Sequence, residues 1–267
     1  MGRLAEAPLL RNPFVALGVS IRDHRAKILE AAEQNSLERD PEECRKAKGT
    51  LMNPRTRLSA EVAWLPGVSP KRAGQLLERL RTAPRSIPDE AGLRALALCN
   101  LTEAAIYSLG SKSSAEDAIH FIGWLAALSG GLDPEEVLKE INEDRSASGF
   151  PEVGSVDLVE AELRDRKRSL VLSIKDSLNQ LPSEVLLHVL TDVVSEATDH
   201  GTIHAPELID ELVDGYALEV HATLEDGIAN LQSLISSAER VAESGESAVA
   251  PYIDRIEHCA SAWDRIA

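Results

Sequence analysis

Apolar residues recur every three or four positions along most of the chain, which is the spacing of an amphipathic helix. The longest such pattern runs from Val213 to Ala242. Strict alternation of apolar and polar residues, which is typical of a half-buried strand, never continues for more than a few positions. The sequence therefore predicts an all-α protein in which one long helix covers about residues 207–243.

Several helix starts can be located from capping signals. The tetrapeptide Asp-Pro-Glu-Glu occurs at 40–43 and again at 133–136, where Asp can cap, Pro can occupy the first helical position and the acids favour the positive end of the helix. A capping box at 113–116 predicts a third start, and apolar-periodic runs follow Ser183 and Glu207.

Helix breakers divide the chain into two predicted domains. Pro84 and Pro88 separate helical patterns near residue 85, which predicts a domain over 1–85 and another over 86–267. The second domain is expected to be a helical bundle. A turn-rich segment at 145–155 is either a further division of that bundle or a long loop.

The formal charge of -16 is distributed unevenly between these two regions. Residues 1–85, the head, hold 16 Lys and Arg against 10 Asp and Glu, whereas residues 86–267, the body, hold 12 against 34. The head is therefore at +6 and the body at -22. Because the body would repel nucleic acid and anionic lipid, only the head is suited to a polyanion.

Composition restricts location and covalent chemistry. No apolar stretch reaches the roughly 18 residues of a membrane-spanning helix, and the first residues lack the apolar core of an export signal, so we expect a cytoplasmic protein without a membrane partner. Cys44, Cys99 and Cys259 form no CxxC pair and are expected to be core residues.

No catalytic motif stands out. The segment 199–204 holds two histidines and one aspartate, but Gly201 and Pro206 indicate a turn rather than a metal site. Neither a GxSxG elbow nor a phosphate-binding glycine loop is present. We therefore expect a non-enzymatic protein with no metal and no cofactor.

The head begins with Phe14 followed by Leu17-Gly18-Val19, and Asn53-Pro54 with the basic residues after it follows the second predicted helix. These features resemble the start and the end of the third helix of a J domain, the helical hairpin of co-chaperones for the seventy-kilodalton heat-shock ATPases. The resemblance implies two antiparallel helices, over 22–37 and 40–52. Ile28, Leu29 and Ala32 of the first should face Cys44, Ala47 and Leu51 of the second, with Phe14, Leu17 and Trp64 closing the ends.

The tripeptide His-Pro-Asp, which the family uses to stimulate its ATPase partner, is absent. Its place in the loop holds Asp40-Pro41-Glu42, which is already explained as a helix cap. The resemblance therefore predicts a degenerate J domain that lacks ordinary co-chaperone activity.

The family contacts its acidic partner through basic residues on the first long helix. Candidate partner-binding residues here lie on the two predicted helices of the hairpin: Arg22, Arg25, Lys27, Arg45, Lys46 and Lys48. They form either a docking face, for an acidic partner or for the protein's own acidic body, or an ordinary solvated surface mixed with glutamates.

The leading hypothesis is a protein-interaction adaptor or scaffold subunit of a cytoplasmic multi-protein assembly. One alternative is a co-chaperone-like protein that binds a heat-shock ATPase or competes for it. Another is nucleic-acid binding through the basic head, although stacking aromatics are lacking and the body repels polyanions. The apolar stripe near the C-terminus either packs inside the protein or forms a homo-oligomer.

Overall fold

A computed structural model describes residues 4–87, 92–109, 114–181 and 183–242, together with residue 253. All regular secondary structure in these residues is helical, which confirms the predicted all-α class. No helix of this part of the chain is long and apolar enough to cross a membrane.

The helices follow one another closely along the chain. Their bounds are α1 Pro13–Leu17, α2 Arg25–Asn35, α3 Pro41–Met52, α4 Pro54–Val62, α5 Pro70–Thr82, α6 Ala95–Ile106, α7 Ala115–Gly130, α8 Pro134–Ser148, α9 Val156–Leu178, α10 Ser183–Ala197 and α11 Glu207–Ala242. Short 3-10 helices cover Leu4–Glu6, Pro8–Arg11 and Pro84–Ser86. At 36 residues, α11 is about 54 Å long, as the apolar stripe predicts.

Side-chain caps account for where several helices begin. Asp40 accepts a hydrogen bond from the Glu42 N–H at 2.9 Å, and Asp133 accepts the equivalent bond from Glu135 at 2.9 Å. Both predicted caps are confirmed. The start of α7 differs by one residue, because Ser114 rather than Ser113 is the cap, and Ser113 lies outside the described residues.

The chain forms two compact units, Met1–Leu212 and Val213–Ala267. The charge boundary near residue 85, where the sequence predicts a domain boundary, lies inside the first unit. The turn-rich segment at 145–155 also lies there and contains the end of α8, a loop and the start of α9. The second unit contains the greater part of α11.

Helices α2 and α3 pack together as a hairpin. Ile28 and Ala32 of α2 are buried, as are the three α3 residues predicted to face them. Leu29 was predicted to share this face but is 40% exposed, because it lies about 100° around the helix from Ile28. The predicted helix start at Arg22 is also wrong, since α2 begins only at Arg25.

An apolar core joins the head to the body. Leu58 and Val62 of α4 pack in one cluster with residues of α6, α8, α9 and the loop before α9, namely Leu96, Val137, Ile141, Val153, Val159 and Leu163. Phe14 and Trp64 pack at 5.5 Å between ring centroids within the head. The apolar core around α4 is therefore continuous with that of the body.

Other predictions concern single residues. Phe150 is buried, as expected for an aromatic that anchors a loop. His120 is exposed, although its neighbours Ile119 and Phe121 are buried. Asp199, His200 and Gly201 all have positive φ, which confirms the turn there. Cys44 and Cys99 are buried as predicted, and Cys259 lies outside the described residues.

Candidate functional site

The predicted basic residues lie in three different surroundings. Arg22 lies in the turn before α2, where its Nε donates to Oδ1 of the fully buried Asp144 of α8 at 2.7 Å. The second oxygen of Asp144 accepts the Gly67 N–H at 2.7 Å. Arg22 therefore binds an acid of the protein's own body, as one of the sequence hypotheses anticipated.

Arg25 also contacts the body. Its guanidinium lies over the ring of Phe150, 5.0 Å from the centroid, and the neighbouring His24 Nδ1 is 3.1 Å from the Ser148 carbonyl oxygen. The start of α2 thus packs on the end of α8 and the loop that follows it. Lys27, one turn further, is mostly exposed and pairs with Asp23 at 2.9 Å.

The α3 residues point away from these contacts. Arg45 is exposed and pairs with Glu42 at 2.6 Å, while Lys46 is exposed and Lys48 is half-buried. Arg45 and Lys48 line one shallow cleft of about 210 Å³ between α2 and α3. We call Arg45, Lys46 and Lys48, the three predicted residues that lie on α3, the α3 basic surface.

A buried ion cluster holds the head and body together. Glu61 of α4 is fully buried; its Oε1 accepts from Arg57 Nε at 2.6 Å, and its Oε2 accepts from Arg145 Nε at 2.8 Å. Arg57 also donates to the Ile21 carbonyl at 2.8 Å, and Arg145 to that of Pro54 at 2.8 Å. One carboxylate therefore accepts from two arginines, one in the head and one in the body.

An aromatic side chain completes this cluster. The Phe150 ring lies 3.8 Å from the Arg57 guanidinium and is shared with Arg25, while Phe14 lies 5.3 Å from Arg57. Burial raises the pKa of Glu61, and the two arginines act in the opposite direction. Burial lowers the pKa of Arg57, with Glu61 opposing that change. Each charge in the cluster thus has a direct partner of opposite sign, with two arginines sharing one carboxylate.

A second buried cluster lies within the body. Arg166 of α9 makes a two-pronged ion pair with Glu103 of α6, and its Nε donates to the Asn100 amide oxygen at 2.8 Å. The Ser173 hydroxyl donates to Glu103 at 2.7 Å. Asn100 in turn donates to the Val62 carbonyl at 2.8 Å, which ties α6 to the end of α4.

Groups that often carry chemistry are engaged or inaccessible in the described structure. Cys99 is fully buried, and burial raises the pKa of its thiol to about 12, so it is a poor nucleophile. A cleft of about 360 Å³ lies beside α6 and α8; among the acids that line it, Glu140 is buried and pairs through one oxygen with Arg94 at 3.0 Å. Within the described residues, no three or more His, Cys, Asp or Glu side chains are grouped to hold a metal ion.

Sequence reasoning missed both buried clusters. The available signal was the spacing of Arg57 and Glu61, which lie one helical turn apart in a stretch that also contains Leu58 and Val62. An ion pair within an apolar stretch of helix is consistent with burial. Nothing nearby in sequence indicates Arg145, which is 84 residues from Glu61.

Comparisons with known proteins give no relative from which a role could be transferred. The chain matches no protein-family model, no curated protein and no solved structure. Any functional conclusion therefore depends on the arrangement of the residues themselves.

Proposed function

We propose that this protein is a non-enzymatic interaction adaptor or scaffold subunit whose partner binds the α3 basic surface. The observation that carries the proposal is the contrast between the basic residues at the start of α2 and those on α3. Arg22 and Arg25 contact Asp144 and Phe150 of the body. On α3, Arg45 pairs with Glu42 of its own helix, Lys46 is exposed and Lys48 is half-buried. The hairpin is therefore held in place from one side and open to a partner on the other.

The remaining chemistry agrees with recognition rather than catalysis. The buried acids Glu61 and Glu103 are bound by arginines, and the Cys99 thiol is inaccessible. The position at which J domains carry their functional tripeptide is used here to cap α3, since Asp40 accepts from the Glu42 N–H. In this proposal the J-domain-like head recognises a partner without stimulating an ATPase.

The partner should present acidic side chains. The α3 basic surface projects three cations from little more than one helical turn, and only Arg45 pairs with a neighbouring acid, Glu42. An acidic partner would replace this exposed pair at little cost because exposed ion pairs contribute only about 0–1 kcal/mol. Charge complementarity of this kind raises the association rate and makes binding sensitive to salt.

The test is affinity purification of the tagged full chain from its native extract, followed by gel filtration of the complex. Simultaneous reversal of Arg45, Lys46 and Lys48 to Glu should remove the stoichiometric partner. A matched control reverses Lys139, Arg164 and Arg168, three exposed body residues, and should retain it. Equal retention in both variants, with melting temperatures near that of the wild type, would contradict the proposal.

A further inference from the structure

An open apolar groove lies between α1 and α5, on a part of the head that the proposed function does not use. It has a volume of about 290 Å³. Its lining combines large apolar residues, among them Phe14, Trp64 and Leu77, with Gly74 and the ion pair of Asp23 and Lys27. Asp23 and Lys27 neutralise each other at 2.9 Å, so the lining itself carries no net charge.

Helix α5 makes one wall of this groove and is strongly basic. It carries Lys71, Arg72, Arg79 and Arg81 against the single acid Glu78, and all five residues are exposed. The apolar side of α5 is already used, since Ala73, Leu76 and Leu80 are buried. A helix that binds a membrane inserts its apolar side into the lipid, and the apolar side of α5 is already buried within the protein. An apolar protein segment flanked by acidic residues fits the groove and the basic residues beside it instead.

This chain contains a segment of that kind. The first turns of α11, residues 207–218, hold four acids and no basic residue. Glu207 pairs with Lys167 at 2.8 Å, which leaves Asp210, Glu211 and Asp214 exposed. Leu218 of the same helix is 71% exposed, and Val213 is also exposed. Acidic and large apolar side chains thus share the outer side of α11.

We propose that the α1–α5 groove of one copy receives the first turns of α11 of a second copy. Leu218 and Val213 would enter the apolar groove, while Asp210 and Asp214 would meet the basic residues of α5. Each copy offers one groove and one α11, so the contact joins different surfaces and leads either to a reciprocal pair or to a longer assembly. This proposal is independent of the adaptor function and its α3 basic surface.

Gly74 provides a direct test because it lies in the groove wall and is exposed. A Cβ added there would meet nothing within 4 Å, and the same is true of the exposed Gly49 on α3. Gly74→Trp should fill the groove without loss of folding, since glycine is a poor residue inside a helix. Gly49→Trp places the same side chain on α3, outside the groove, and is the matched control.

The experiment is sedimentation velocity of the full chain from about 1 to 100 µM, a range suited to micromolar association. The wild type and Gly49→Trp should self-associate, and association should weaken as salt is raised from about 0.05 to 0.5 M. Gly74→Trp should raise the dissociation constant at least about tenfold. A wild type that is monomeric throughout, or a Gly74→Trp variant that associates equally, would overturn the proposal.

Reversing charges on both α11 and α5 tests whether these two helices contact each other. Asp210→Lys with Asp214→Lys should weaken association, and adding Lys71→Glu with Arg81→Glu to the same chain should restore it, because the opposite charges then meet again. Melting temperatures of all variants show that the fold is intact. If the fourfold variant stays as weak as the double variant, α5 and α11 are not partners.

Discussion

The basic residues before and at the start of α2 and those of the α3 basic surface have the same charge but different roles in the structure. Arg22 and Arg25 are held by Asp144 and Phe150 of the body, whereas Lys46 and Lys48 project from α3 without a carboxylate partner in the described structure. Both groups are basic in sequence and lie on neighbouring elements. Their difference shows that the location of the groups opposite them, and not the basic residues themselves, decides which of these cations contact the body.

The contacts of Arg22 and Arg25 with the body lie next to the buried ion cluster around Glu61. Glu61 lies between Arg57 and Arg145 behind the hairpin, and Phe150 connects that cluster to Arg25. Substitutions should therefore lower the free energy of unfolding most at the cluster itself and less at residues that only contact it. Substitutions in the α3 basic surface should change the free energy of unfolding least.

Glu61→Ala should have the largest effect. It leaves Arg57 and Arg145 buried without their shared carboxylate, and removing one partner of a buried ion pair costs about 3–5 kcal/mol. Urea unfolding of the full chain measures the loss. A loss below about 1 kcal/mol would show that the cluster does not hold the head and body together.

Asp144→Ala should follow, with a loss of about 1–3 kcal/mol in the free energy of unfolding. It removes the acceptor of the Gly67 N–H as well as the partner of Arg22. Arg22→Ala is the control, and its loss should be smaller because the Arg22 side chain is 39% exposed. Equal losses would mean that the Gly67 bond contributes nothing.

Phe150→Leu should lower the free energy of unfolding by less than Asp144→Ala does. Leucine keeps most of the buried apolar volume but lacks the ring face that Arg57 and Arg25 share, and such contacts contribute about 0.5–2 kcal/mol. Thermal unfolding should give a lower melting temperature. If Phe150→Leu is as stable as the wild type, packing alone explains the buried ring.

The combined reversal of Arg45, Lys46 and Lys48 to Glu should have the smallest effect on stability. Surface substitutions of this kind usually change the free energy of unfolding by less than about 0.5 kcal/mol each. The same urea titration that detects the loss in Glu61→Ala should leave this variant near the wild type. A cooperative loss comparable to that of Glu61→Ala would show that α3 is part of the structural support.

The sequence predicts much of the fold because the relevant signals are local. Asp40 and Asp133 act on residues two positions later, and the apolar period identifies α11 from its own residues. The error at Leu29 arises because Ile28 and Leu29 are neighbouring apolar positions, and the sequence alone does not show which of the two is buried. Their burial is decided by which helix packs against them, and that information is not local.

The candidate site was less predictable for the same reason. Basic residues could be found in the sequence, but Arg22 is separated by 122 residues from Asp144, and Arg145 by 84 from Glu61. Only the tertiary packing of α8 against the head brings these groups together. Among the six predicted residues, Arg22 and Arg25 therefore contact the body, whereas Lys27 and Arg45 pair with nearby acids of the head.

The most direct test measures, for the same variants, the affinity for the co-purified partner and the free energy of unfolding. Arg22→Ala should lower stability while the dissociation constant stays within about twofold of the wild type. The Arg45, Lys46 and Lys48 reversal should raise the dissociation constant at least about tenfold at unchanged stability. The opposite result, in which Arg22→Ala weakens partner binding and the α3 reversal does not, would contradict the account.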